Sequence, residues 1–367
     1  MKRCKVIAVV LMLLLTAVCT GCALLPAGVT VSADVPDLPA EFFCLSNQHQ
    51  WEADAWLGVY GGQLYYLPQC NDSMNDTAFD GWLCVLEDGQ LVKLCRPAGG
   101  ERVRIIGQSG CFLYYYDIRN GDDGDRLYCY DLPLRRETLL ATTNLSNLSL
   151  TVFAEDGSLY IPLYNRHSGE PHRFLHIQGD RVLSDNADAP GGIALGNRVY
   201  ATAGEGVDFR EKIVCTDESG LTADVPLPVA SYRTLLPAGD GLLIHNAGYS
   251  QLLFRISPDH EVTPVFSAEC MSSSTALAVT EDSAYLSLKR YAGYNDIFLR
   301  RYENDAVEGT YHISLTDFTP VKISDAIYSG LYFFGGDYLL ACDESCSVYV
   351  LNLDGSVRAT LIYVQER

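Results

Sequence analysis

Three histidines, His167, His172 and His176, fall within ten residues, and the last two are four apart. On a helix that spacing would put two imidazoles on one face for zinc. The segment PHRFLHI reads as a strand, where positions four apart lie about 13 Å from each other at roughly 3.3 Å per residue, too far for one ion. The run Asp117-Ile118-Arg119-Asn120-Gly121-Asp122-Asp123-Gly124-Asp125 has the carboxylates a calcium ion wants. It lacks EF-hand spacing: Arg119 takes a ligand position and no closing Glu follows. Both groups read as solvated surface, and no metal is expected. Gly107-Gln108-Ser109-Gly110 is one residue short of a nucleophile elbow and precedes a strand, not a helix. No zinc-protease, phosphate-loop or dinucleotide motif appears, so no cofactor is expected. The 46 acidic residues leave an Asp/Glu pair open, because its geometry is spatial, and no catalytic residue is singled out.

Recognition chemistry has better candidates. Uneven polar loops at 68–81, 118–125, 164–172, 204–211, 246–250 and 290–296 carry Phe79, Tyr164, Arg166, His167, Phe209, Tyr249, Tyr291 and Tyr294. Aromatic and Arg side chains are favoured anchors at binding hot spots. A net charge of −20 and a pI near 4.6 exclude a nucleic-acid partner, which would need clustered Lys and Arg.

The elements that position these loops follow from a repeat. A turn residue and a short apolar strand recur as GGQLYYL (61–67), GCFLYYY (110–116), DGSLYIPL (156–163), LGNRVYA (195–201), GDGLLIH (239–245), EDSAYLSL (281–288) and GGDYLLA (335–341). A second apolar strand follows each, as in GWLCVLE, DRLYCYDL and IFLRRY. Turn pairs come next, among them Asp88-Gly89, Gly179-Asp180, Asn304-Asp305 and Asp354-Gly355, of the kind that supplies the positive φ of tight hairpins. With a third strand after each turn and one before each repeat, the pattern predicts an all-β fold, a β-propeller of seven four-stranded blades. The bland competitor is a large β-sandwich, which does not repeat one opening at steady intervals.

Of 13 cysteines, Cys342 and Cys346 flank a three-residue stretch, and a hairpin there would bring them within disulfide reach. Others, such as Cys84, Cys111 and Cys129, lie in apolar runs and read as small buried hydrophobes.

The N-terminus is built for export. Lys2, Arg3 and Lys5 precede an apolar run from Val6 to Val18, the layout of a signal peptide; an uncleaved anchor is the competing reading. Cys19-Thr20-Gly21-Cys22 resembles the lipobox of bacterial lipoproteins, although Cys19 stands where an aliphatic residue is usual. That resemblance implies a palmitate-bearing lipid on Cys22 and a location on the extracytoplasmic side of a bacterial cell membrane. The expected organisation is a signal peptide (1–21), a lipidated tether (22–40) and the propeller (41–367). Within the second repeat, LYYYD (113–117) and RLYCYDL (126–132) are similar to the YWTD repeats of low-density-lipoprotein-receptor-like propellers, with Trp missing. The resemblance implies a domain of unknown function carried by lipoproteins of this kind.

The sequence therefore predicts a lipid-anchored module that binds or scaffolds an extracytoplasmic protein or glycan through its loops. Two alternatives stay open: a carbohydrate-active hydrolase or lyase on the same scaffold, and a passive sensor or spacer in an envelope complex. Fold does not choose among them.

Overall fold

The computed structural model describes residues 29–31, 41–42, 55–68, 79–99, 103–117, 124–145, 151–163 without 155, 173–188, 192–205, 210–226, 232–247, 251–268, 273–290 without 281, 308–333 and 338–364. Two short strands come first, β1 (Val29–Val31) and β2 (Glu41–Phe42). Blade 1 comprises β3 (Ala55–Tyr60), β4 (Gln63–Pro68), β5 (Leu83–Glu87) and β6 (Gln90–Cys95). Blade 2 is β7 (Val103–Ser109), β8 (Phe112–Asp117), β9 (Asp125–Asp131) and β10 (Arg136–Thr143). Blade 3 follows as β11 (Val152–Phe153), β12 (Leu159–Pro162), β13 (Phe174–Gln178) and β14 (Arg181–Ala187). Next comes blade 4, with β15 (Ile193–Leu195), β16 (Arg198–Glu205), β17 (Arg210–Thr216) and β18 (Thr222–Asp224). Blade 5 holds β19 (Tyr232–Ala238), β20 (Gly241–Ala247), β21 (Gln251–Ile256) and β22 (Val262–Ala268). In blade 6 the strands are β23 (Ser273–Val279), β24 (Ser283–Arg290), β25 (Gly309–Ser314) and β26 (Pro320–Ser324). Blade 7 closes the ring with β27 (Gly330–Phe333), β28 (Tyr338–Cys342), β29 (Val348–Asn352) and β30 (Val357–Val364).

Within each blade all strand pairs are antiparallel and sequential, so each blade is a four-stranded meander and the seven form a ring. Burial gives the order from axis to rim. In blade 1, β3 is buried almost throughout, whereas β6 is exposed or half-buried along its length. The repeated apolar opening falls on the second strand of each blade, where Leu64, Tyr65 and Tyr66, or Leu113, Tyr114 and Tyr115, are buried. Both faces of that strand pack against neighbouring blades, which explains why its sequence is continuously apolar and not alternating.

Five apolar clusters glue the blades. The largest spans blades 7, 1 and 2 through Leu57, Leu83, Leu113, Tyr130, Val348 and Leu361, among others. The rest join blades 2 and 3, 4 and 5, 5 and 6, and 6 and 7. Polar bonds reinforce several seams: Tyr66 OH donates to Cys346 O across blades 1 and 7 (2.6 Å), and Tyr114 OH to Gly179 O across blades 2 and 3 (3.0 Å). Among the described residues, no such cluster joins blades 3 and 4. There Val199, on the face of β16 opposite buried Tyr200, is 38% exposed.

The N-terminal strands extend two blades. β1 lies outside β30, with Val29 opposite Val364 and Val31 opposite Ile362, so part of the expected tether is a strand. β2 pairs on the axial edge of blade 1, Glu41 with Tyr60 and Phe42 with Val59. The partner of β1 lies at the other end of the chain, whereas β2 pairs with the next strand, and segments of two or three residues carry no local signal.

One sequence expectation is corrected. In blade 6 the third strand is GTYHIS (309–314), not IFLRRY, and its hairpin is 315–319, not Asn304-Asp305. Both segments are rich in strand-forming residues; Tyr311 and Ile313 are the ones that pack into the seam with blade 5. At the Cys342–Cys346 pair the register sets Val348 opposite Cys342, while Cys346 sits in the turn at φ +67°.

Candidate functional site

A four-stranded meander sends its connections to two faces. Links from first to second strand and from third to fourth leave one face; links from second to third strand and between blades leave the other. On the first, or hairpin, face every connection has two to five residues. On the second, or loop, face the second-to-third links range from three residues (248–250) to eighteen (291–308).

The hairpin face is locally over-determined. Asp88 and Gly89 both take positive φ (49° and 69°), as a tight hairpin demands. Elsewhere a turn carboxylate accepts backbone N–H groups: Asp217 from Ser219 and Leu221, Asp317 from Thr319, Asp354 from Ser356. The Ser219 and Ser356 hydroxyls, together with these N–H groups, hold the carboxyls of Asp217 and Asp354 below the usual range, and the Thr319 and Ser158 N–H groups do the same for Asp317 and Asp156.

The loop face carries the sequence candidates. Phe79 is half-buried at the base of the first loop, with Trp82 N–H donating to its carbonyl (2.9 Å). Lys93 Nζ lies 5.2 Å from the Phe79 ring centroid and 4.9 Å from that of Trp82, and the Arg96 guanidinium is 5.2 Å from Trp82. This aromatic and cationic cluster was missed except for Phe79, because Trp82 reads as a strand-edge residue and its partners come from the next hairpin. Tyr164, Arg166, His167, Phe209, Tyr249, Tyr291 and Tyr294 lie outside the described residues, as does Cys22. Of the histidine group, His176 is on β13, stacked on Tyr160 at 4.4 Å and nearly parallel. In the acidic run, Asp117 is buried and its Oδ1 accepts the Arg126 N–H at 3.0 Å, a clasp at the base of the β8–β9 loop.

One loop-face connection, 343–347, is fully described and locked. Asp343 Oδ1 accepts Ser345 Oγ (2.7 Å) and Ser347 N–H (2.9 Å), while Oδ2 accepts the Tyr349 hydroxyl (2.7 Å). Cys342 and Cys346 are buried around this turn as packing groups. Cys84 and Cys129 are buried as read from sequence, and Cys111 is half-buried. Burial pushes the thiols of Cys84, Cys95 and Cys129 up to about 12, which makes them inert at neutral pH.

A cavity of about 240 Å³ opens between blades 4 and 5 near the hairpin face, against Arg198, Tyr200, Cys215, Asp217 and His260. Tyr200 OH lies 3.1 Å from His260 Nδ1, and His260 Nε2 lies 3.1 Å from Asn197 Oδ1. The Asn oxygen can only accept, so Nε2 carries the proton and Nδ1 accepts from Tyr200. This chain of bonds clasps the two blades. Among the described residues no group of three or more His, Cys, Asp or Glu could hold a metal.

No family model and no curated protein sequence matches the chain. Solved propellers do. A prolyl endopeptidase structure superposes with a TM-score of 0.51 at 11% identity over 87% of this chain and 51% of that one. This chain thus spans about half its length. The propeller domain of the trilobed protease from Pyrococcus furiosus gives 0.49 at 12% identity (85% and 99% covered), and TolB from Acinetobacter baumannii 0.41 at 11% (78% and 60%). At such identities the likeness is one of fold: the chain is a seven-bladed β-propeller.

Proposed function

We propose that the chain is an extracytoplasmic binding or scaffolding module, held to the membrane by a lipid on Cys22, that recognises a partner with its loop face. One observation carries this reading. A regular frame with uniformly short hairpins on one face bears connections of three to eighteen residues on the other, and those hold Arg166, Tyr249, Tyr291 and Tyr294. Variable loops on a rigid scaffold are where proteins place recognition. Tyr and Arg supply large contact area with a polar handle.

The test uses the body without its signal, in a glycan array and a pull-down from envelope extract, beside a variant with Arg166, Tyr249, Tyr291 and Tyr294 changed to Ala. Binding that the variant loses supports the reading. Equal capture by both forms moves recognition away from this face. Cys22→Ala is expected to release the protein from membranes, and retention of that variant in the membrane fraction would contradict lipidation.

A further inference from the structure

The cavity between blades 4 and 5 is lined by two opposite charges, neither of them in an ion pair. Its polar floor is already spent: Tyr200 gives its hydroxyl proton to His260 Nδ1, and His260 gives its Nε2 proton to Asn197. Arg198 lies beside that hydroxyl, where its charge opposes the upward push that burial gives the phenol. Seven other basic side chains of the described residues are ion-paired, among them Arg135 with Glu87 and Lys322 with Asp325. Half-buried Arg198 has no such partner among the described residues.

Of the two carboxylates on the cavity, Asp224 is held by Lys212 at 3.1 Å. Asp217 spends one oxygen only. Its Oδ1 accepts the Ser219 N–H (2.9 Å), the Ser219 hydroxyl (2.6 Å) and the Leu221 N–H (3.1 Å), while Oδ2 has no donor among the described residues. The Ser219 hydroxyl, then the turn N–H groups and the charge of Arg198, keep this carboxyl ionised. The rest of the wall is largely apolar, with Val225, Pro226 and Val262. At the rim stands Leu221, 68% exposed, more than any other large apolar side chain described.

These features choose the ligand by charge. A simple carboxylic acid would answer Arg198 and leave Asp217 facing like charge. An amine would do the reverse, a neutral sugar would meet neither, and the end of a peptide carries only one of the two charges. We infer that the cavity binds a free α-amino acid with a small apolar side chain. Its carboxylate meets the Arg198 fork, the geometry that guanidinium suits best, its ammonium meets Asp217 Oδ2, and its side chain covers Leu221 and Val262. The volume of about 240 Å³ is the share of about eight waters at roughly 30 Å³ each, which suits valine or leucine. This site is separate from the loop face and stands whether or not that face captures a partner.

The test is a calorimetric titration of the full chain with free leucine, with isocaproate, which lacks the ammonium, and with isoamylamine, which lacks the carboxylate. Leucine is expected to bind about tenfold or more tightly than either analogue, each of which loses one charge-assisted contact. Arg198→Gln should abolish leucine binding with the urea midpoint unchanged. Asp217→Asn keeps an acceptor for the turn and removes the charge, so it should erase the preference for leucine over isocaproate; a role in folding alone would weaken both ligands together and contradict the assignment of Asp217. Equal binding of leucine and isocaproate by the parent overturns the inference. So does leucine binding that survives Arg198→Gln, or no binding of leucine, isoleucine or valine.

Discussion

The two faces of this ring are built from the same strands by opposite rules. On the hairpin face the backbone leaves little choice: connections of two to five residues need positive φ or a carboxylate accepting turn N–H groups, and the sequence supplies Asp, Gly and Ser accordingly. On the loop face the second-to-third connections vary from three to eighteen residues, and on the function proposed above they carry recognition. Stability should therefore respond to substitutions on the first face and recognition to substitutions on the second.

Gly355 offers the sharpest way to break that contrast. Its φ is +82° and an added Cβ would lie 3.0 Å from Ile323 side-chain atoms. Gly355→Val is expected to cost about 2–3 kcal/mol in urea unfolding, combining the left-handed penalty with displacement of Ile323, while binding by the folded fraction stays unchanged. Tyr66→Phe addresses the exception, the locked loop-face turn at 343–347. Removing the hydroxyl that donates to Cys346 O should cost about 0.5–1.5 kcal/mol, so this connection will behave like frame and not like a recognition loop.

A smaller effect comes with pH. The carboxyls of Asp156, Asp217, Asp317 and Asp354 are lowered in the folded state from an ordinary value of 3.8. Their contribution is complete above that value and lost as pH falls through their lower folded values. A Asp217→Asn/Asp317→Asn/Asp354→Asn variant should therefore show a shallower loss of stability below pH 3.8 than the parent; an unchanged acid limb would remove these turns from the account. Smallest of all, Arg166→Ala with Tyr294→Ala should leave the urea midpoint within about 0.5 kcal/mol of the parent.

The same contrast explains what could be read from the sequence. The frame was legible because a turn residue before a short apolar strand, as in GGQLYYL, and turns such as Asp88-Gly89 and Asp354-Gly355 state local geometry. Blade 6 was misread at IFLRRY because two strand-forming segments compete there, and only the long-range packing of Tyr311 and Ile313 decides between them. β1 escaped because its pairing with β30, at the other end of the chain, has no local signature, and β2 because a two-residue strand is too short to carry one. Within the candidate site, Phe79 was found by its type, whereas Lys93, over the Phe79 and Trp82 rings, and Arg96, over Trp82, come from β6 and the residue after it.

The most direct measurement is a side-by-side envelope pull-down with two matched variants. One changes Arg166, Tyr249, Tyr291 and Tyr294 to Ala on the loop face; the other changes the exposed hairpin residues Glu218, Leu221 and Asp259 to Ala. The account predicts that capture is lost in the first and kept in the second, with both proteins folded by circular dichroism. Capture kept in the first and lost in the second would place recognition on the hairpin face and contradict it.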